Sequence, residues 1–215
     1  MDIGAVLFDC DGVLVDSEVL ANEVLVACVR ELGFEITPEE AHHRFTGHRI
    51  AVCVADLERD LGRPVPPTFV ADARARMDAA FASRLRRVEG ALDLVRSVTV
   101  PYCTASGGPR TKIERSLSLT GLLPYFEGRI FSSYDVGSWK PDPGLFLHAA
   151  AAIAVAPERC VVIEDSRPGV LAGLAAGMHV VAYQPVPARA IPDLPREVTV
   201  VTRLADVAQM LRPAR

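Results

Sequence analysis

Val6, Leu7 and Phe8 form an apolar run that stops on Asp9, and this pattern predicts a short buried strand handing its end to the loop VLFDCDGVLVDSE. Beyond it the period changes. Leu20, Val24, Ala27 and Cys28 recur at helical spacing, with Ser17 placed to cap the start and Gly33 to stop the helix. Thr37-Pro38-Glu39-Glu40 reads as a capping box with proline at the first helical position. Further helical segments are predicted near 49–61, closed by Gly62, and near 68–87. No strand pattern interrupts residues 16–87, so this stretch is predicted to be an all-helical insert.

From Gly90 the chain alternates between helical and short apolar segments. Helices are expected at 91–98, 109–119, 143–153, 168–176 and 204–211, and strands at 99–104, 129–132, 160–163, 179–183 and near Val198. The piece from Pro185 to Pro195 reads as a surface connection. Such alternation predicts an α/β fold, a doubly wound parallel sheet with a Rossmann-like core. The core is expected to comprise 1–15 and 88–215, and the inserted all-helical cap 16–87. In doubly wound sheets ligands gather at the carboxyl ends of the strands, so the residues that follow each strand matter most.

Four strand ends carry chemistry. Asp9 and Asp11 share one loop with Gly12, and two such carboxylates repel unless a cation lies between them, which points to a Mg²⁺ site with a nucleophile. Ser106-Gly107-Gly108-Pro109 places a hydroxyl and bare amides before a helix, a seat for an anion such as phosphate; Thr104 is the other candidate hydroxyl. Lys140, fixed in Trp139-Lys140-Pro141-Asp142-Pro143, and Lys112 are the chain's two lysines among many arginines, and Lys140 reads as a point charge aimed at a partner. Glu164 and Asp165 end the apolar run Val161-Val162-Ile163, a second acidic pair able to converge with the first on a divalent ion.

Composition narrows the partners. A net charge of -4 and a pI near 5.7 give no general attraction to nucleic acid or anionic membrane. No apolar stretch approaches the ~20 residues needed to span a bilayer, and no signal-peptide pattern precedes the first strand, so a cytoplasmic protein is expected. The five cysteines stand singly, without CxxC spacing, and read as reduced, packed thiols; Cys10 is expected to be a spacer between the two loop aspartates.

The motifs DxDGVLVDSE at Asp9, Ser106, Lys-Pro-x-Pro at Lys140 and Glu164-Asp165-Ser166, in that order, resemble the four motifs of the haloacid dehalogenase-like hydrolase superfamily. The helical insert after the first motif resembles the cap of its beta-phosphoglucomutase-like branch. The resemblance implies that Asp9 attacks phosphorus, that Asp11 protonates the leaving oxygen and then activates water, and that Ser106, Gly107 and Lys140 hold the phosphoryl group. It also implies Mg²⁺ on Asp9, the Asp11 carbonyl and Asp165, with Glu164 as a direct ligand or behind one, and a cap that closes over the substrate.

Within that superfamily, Asp11 favours phosphoryl chemistry over dehalogenation, and the lysine-free insert excludes a Schiff-base hydrolase. Ala21 stands where mutases of this branch typically carry a histidine, which favours phosphatase over mutase. The expected activity is hydrolysis of small phosphate monoesters, sugar or sugar-acid phosphates, by a monomer or homodimer. The alternatives are a beta-phosphoglucomutase-type mutase and a phosphoglycolate phosphatase. Gly47-His48-Arg49 resembles the branch's specificity loop, so His48 and Arg49 are candidate substrate contacts; His42 and His43 read as helix surface. The arginines at 74, 76, 84, 86 and 87 lack interleaved aromatics and read as charged helix surface.

Overall fold

The computed structural model describes residues 2–45, 50–187 and 190–211. Its chain divides into two compact units, Ser17–Leu85 and a discontinuous one made of Met1–Asp16 and Arg86–Arg215. The inferred boundaries thus differ from the observed ones by one residue at the first junction and two at the second.

Ser17–Leu85 holds α1 (Ser17–Glu31), α2 (Pro38–Phe45), α3 (Ile50–Leu61) and α4 (Phe69–Arg84). The capping box forms as its sequence dictates: Glu40 N–H donates to Thr37 Oγ1 at 3.2 Å, and Thr37 N–H donates to Glu40 Oε2 at 2.9 Å. The apolar stripes meet in a core of Val29, Ala41, Phe45, Leu57, Phe69 and Ala73. On its surface Arg76 makes two bonds to Glu31, at 2.6 and 2.9 Å, and Arg84 reaches Glu23 at 2.9 Å.

The other unit is built on six parallel strands, β1 (Ala5–Phe8), β2 (Tyr102–Ser106), β3 (Ile130–Ser132), β4 (Cys160–Glu164), β5 (His179–Tyr183) and β6 (Thr199–Val201). Their order, β3-β2-β1-β4-β5-β6, is that of a doubly wound sheet, reversing direction at β1. The connecting helices are α5 (Ala91–Ser97), α6 (Arg110–Leu119), α7 (Leu123–Phe126), α8 (Ser133–Val136), α9 (Gly144–Ala152), α10 (Arg167–Ala175) and α11 (Leu204–Met210).

All four residues of β1 are buried, as expected of a central strand covered on both faces. Leu7, Cys103, Ala105 and Val162 pack with Phe146 and Ala149 of α9, while Phe8 meets Tyr102 and Phe126 edge to face at 6.2 and 6.0 Å. Phe8 is level with both Thr104 and Ile163, so the ends of β1, β2 and β4 finish together and deliver their loops to one rim. Among the described residues no helix is long and apolar enough to cross a membrane.

Two local expectations change. The second strand runs from Tyr102 to Ser106, not over 99–104, because Pro101 has no N–H to give the ladder and contributes only its carbonyl, to Val6 N–H at 3.0 Å. The four-residue helices α7 and α8 were not anticipated, being too short for apolar periodicity to register.

Candidate active site

The loop after β1 is a tight reversal. Leu14 and Val15 N–H both donate to the Cys10 carbonyl, at 2.9 and 3.0 Å, and Gly12 N–H donates to Val15 at 2.8 Å. Gly12 has φ +77°, and a Cβ there would overlap the Asp165 carboxylate, so glycine is required both by the turn and by the close approach of the β4 loop. Cys10 is buried, and burial followed by the charges of Asp11 and Asp9 pushes its thiol well above the usual range, which disfavours the nucleophilic thiolate.

Lys140 comes from the loop after α8. Asp142 pins that loop by accepting from Ser138 Oγ at 2.6 Å and from Gly144 N–H at 2.8 Å. Lys140 Nζ then donates to Asp9 Oδ1 at 2.7 Å and to Glu164 Oε1, and it lies 5.0 Å from the Phe146 ring centroid. Burial works against the ammonium, yet Asp9 and Glu164 outweigh it and raise the pKa of Lys140, so it stays charged.

At the end of β4 the two acids diverge. Glu164 is wholly buried, and its Oε2 accepts from Asp165 N–H, Ser166 N–H and Ser166 Oγ at 3.0, 3.1 and 2.9 Å. A Cβ on Gly169 would overlap this carboxylate, so the first turn of α10 makes room for it. Asp165 is partly exposed, and its carbonyl accepts from Gln184 Nε2 at 3.3 Å.

At the end of β2, Ser106 is the final strand residue and Gly107-Gly108 follow. Gly108 N–H reaches Ser106 Oγ at 3.5 Å, and Ser132 Oγ donates to the Gly108 carbonyl at 2.7 Å, fixing the turn from β3. Thr104 lies two residues deeper, fully buried, and its Oγ1 has no hydrogen-bond partner among the described residues. Asp11 receives its own lysine: Lys112 Nζ, in the first turn of α6, donates to Asp11 Oδ2 at 2.6 Å.

Asp9, Glu164 and Asp165 each bring a carboxylate oxygen to within 4.8 Å of one another. Burial, reinforced by Glu164 and Asp11 and opposed by Lys140, pushes Asp9 from 3.8 up to about 7. Three carboxylates face one ammonium, and the uncompensated negative charge fits a hard divalent cation with oxygen ligands.

The sequence-derived residues Asp9, Asp11, Lys140, Glu164 and Asp165 therefore converge, and Ser106 ends the neighbouring strand with Gly107 just after it. His48 and Arg49 lie outside the described residues. Sequence reasoning did not single out Ser132, Gln184 or a partner for Lys112. A serine or glutamine at a strand end carries no distinctive pattern, but the scarcity of lysine was a signal for Lys112.

The haloacid dehalogenase-like hydrolase family profile matches residues 3–177. The chain is 36% identical to 6-phosphogluconate phosphatase of Escherichia coli (strain K12) over 97% of its own length and 94% of that protein's. A haloacid dehalogenase-like protein of unknown function from Agrobacterium tumefaciens superposes with a TM-score of 0.85 at 30% identity, covering 97% of each chain. A family hydrolase of Deinococcus radiodurans R1, solved with bound phosphate and sodium, gives 0.77 at 32% identity, covering 99% of each chain. The chain belongs to the haloacid dehalogenase-like hydrolase family, and within it to the phosphatases.

Proposed function

We propose that the protein is a Mg²⁺-dependent phosphatase of sugar or sugar-acid phosphates, working through an aspartyl phosphate on Asp9. One observation carries this reading: Lys140 joins Asp9 to Glu164 at the point where the sheet reverses, beside the Asp165 carboxylate. That arrangement gives a buried carboxylate the charge partner it needs to act as a nucleophile.

In the first step an Asp9 carboxylate oxygen bonds to phosphorus, the ester P–O bond breaks, and the departing oxygen takes a proton from Asp11. In the second, water attacks phosphorus and passes its proton back to Asp11, and the acyl phosphate bond breaks to release phosphate and free Asp9. Ser106 Oγ, the Gly107 amide and Lys140 hold the phosphoryl oxygens through both steps. Asp9, the Asp11 carbonyl and Asp165 are the residues that would hold Mg²⁺, with Glu164 behind them through Lys140. When bound, the cation supplies positive charge against the phosphoryl oxygens.

The 6-phosphogluconate named for the Escherichia coli relative is the first substrate to try. The contacts of His48 and Arg49 with the substrate's far end enter on sequence alone. Phosphate release is to be measured on a panel of phosphorylated sugars, sugar acids, glycolate and nucleotides, with wild type and Asp9→Asn. Wild type is expected to release phosphate from sugar-class esters only with Mg²⁺, and the variant to lose at least about a thousandfold. Full activity of Asp9→Asn would refute the reading, and interconversion of phosphate positions without release would favour a mutase.

A further inference from the structure

Of the 23 basic residues in the chain, only Lys112 and Lys140 are lysines. Both end on the loop after β1. Lys140 takes Asp9 at 2.7 Å and Lys112 takes Asp11 at 2.6 Å, so each loop aspartate has its own ammonium. The first pair is buried. The second is partly open, with 34% of the Lys112 side chain and 16% of that of Asp11 accessible, the exposure a group needs if it is to meet an incoming ester.

The position of Lys112 is unfavourable for its helix. It stands in the first turn of α6, where the helix dipole disfavours a cation, and that turn holds no acid to offset it. Its stem passes over Gly108, where a Cβ would lie 3.3 Å from Lys112 Cδ, so the absence of a side chain at 108 opens the path to Asp11. The same Gly108 is tied down by Ser132. An ammonium is a compact point charge, whereas a guanidinium fork tends to take both oxygens of a carboxylate.

We propose that Lys112 is a positioning residue for phosphoryl transfer. It orients the Asp11 carboxyl group for proton transfer to the departing oxygen. The inference rests on the role given to Asp11 above.

The test uses leaving groups. An alkoxide needs a proton as it departs and a nitrophenolate does not. Because hydrolysis of the common phosphoenzyme comes later, kcat/KM reports the step in which the leaving group departs. Lys112→Met keeps the stem and removes the charge on a partly exposed helix position, and its melting temperature is expected to match wild type. With the fastest sugar phosphate, kcat/KM should fall on the order of a hundredfold, and with 4-nitrophenyl phosphate by less than about fivefold. Equal losses on both substrates, or no loss on either, would overturn the proposal. Asp11→Asn measured alongside separates the failures. If it discriminates between the substrates and Lys112→Met does not, the positioning role falls and the reading of Asp11 stands. If Asp11→Asn does not discriminate, both fall.

Discussion

The two acidic pairs at the sheet's carboxyl rim look alike in sequence, yet the molecule uses them differently. In the loop after β1 each aspartate meets a separate lysine, Asp9 with Lys140 and Asp11 with Lys112. After β4 the two acids are not equivalent: Glu164 is sealed in, bonded to two backbone amides, a hydroxyl and Lys140, while Asp165 stays partly accessible. Glu164 is thus held as an internal counter-ion to Lys140, and Asp165 keeps the most accessible carboxylate of the three that could meet a cation. A carboxylate's role here follows from how many donors already hold it, not from its place in a motif.

Removing each β4 acid in turn breaks this comparison most sharply. Asp165→Ala should raise the Mg²⁺ concentration needed for half-maximal activity about tenfold or more while changing unfolding free energy by less than about 1 kcal/mol. Glu164→Ala should instead cost about 3 kcal/mol of stability, because it strands buried amide donors and leaves Lys140 with one carboxylate. Urea unfolding and Mg²⁺ titration of both variants give the two readouts. Equal destabilisation by the two substitutions would erase the distinction.

A smaller effect concerns pH. Without a divalent cation, burial holds Asp9 at about 7 against an ordinary 3.8, so between those values the folded protein keeps a proton that the unfolded chain has released. Stability of the metal-free protein should therefore fall as pH rises through this window, and Asp9→Asn should remove that component. Thermal melts of both proteins in chelator across pH 4 to 8 check the sign, roughly bracketing the window. Mg²⁺ should shrink the wild-type slope.

Much of this architecture was legible in the sequence because it rests on short-range rules. The apolar runs at 6–8 and 161–163 stop on acids, and Thr37 and Glu40 announce a helix start that forms as written. What stayed hidden depends on tertiary contact. The start of β2 was misplaced because Thr99 and Val100 resemble strand residues, whereas Pro101 has no N–H to give the ladder and the strand begins at Tyr102. Ser132 and Gln184 gained their roles only when β3 and β5 brought them beside the Gly108 and Asp165 backbone. The open choice between Glu164 as ligand and as support could not be read from adjacency, since it turns on the donors that Ser166 and Lys140 supply.

The central claim is that Asp9 itself carries the phosphoryl group during turnover, and acid-quenched single turnovers with Mg²⁺ test it most directly. Digestion and mass spectrometry should find one acid-stable, base-labile phosphoryl group on the peptide containing Asp9, and none in Asp9→Asn. Phosphate release by wild type with no such adduct at any quench time, or with the adduct on another residue, would contradict it.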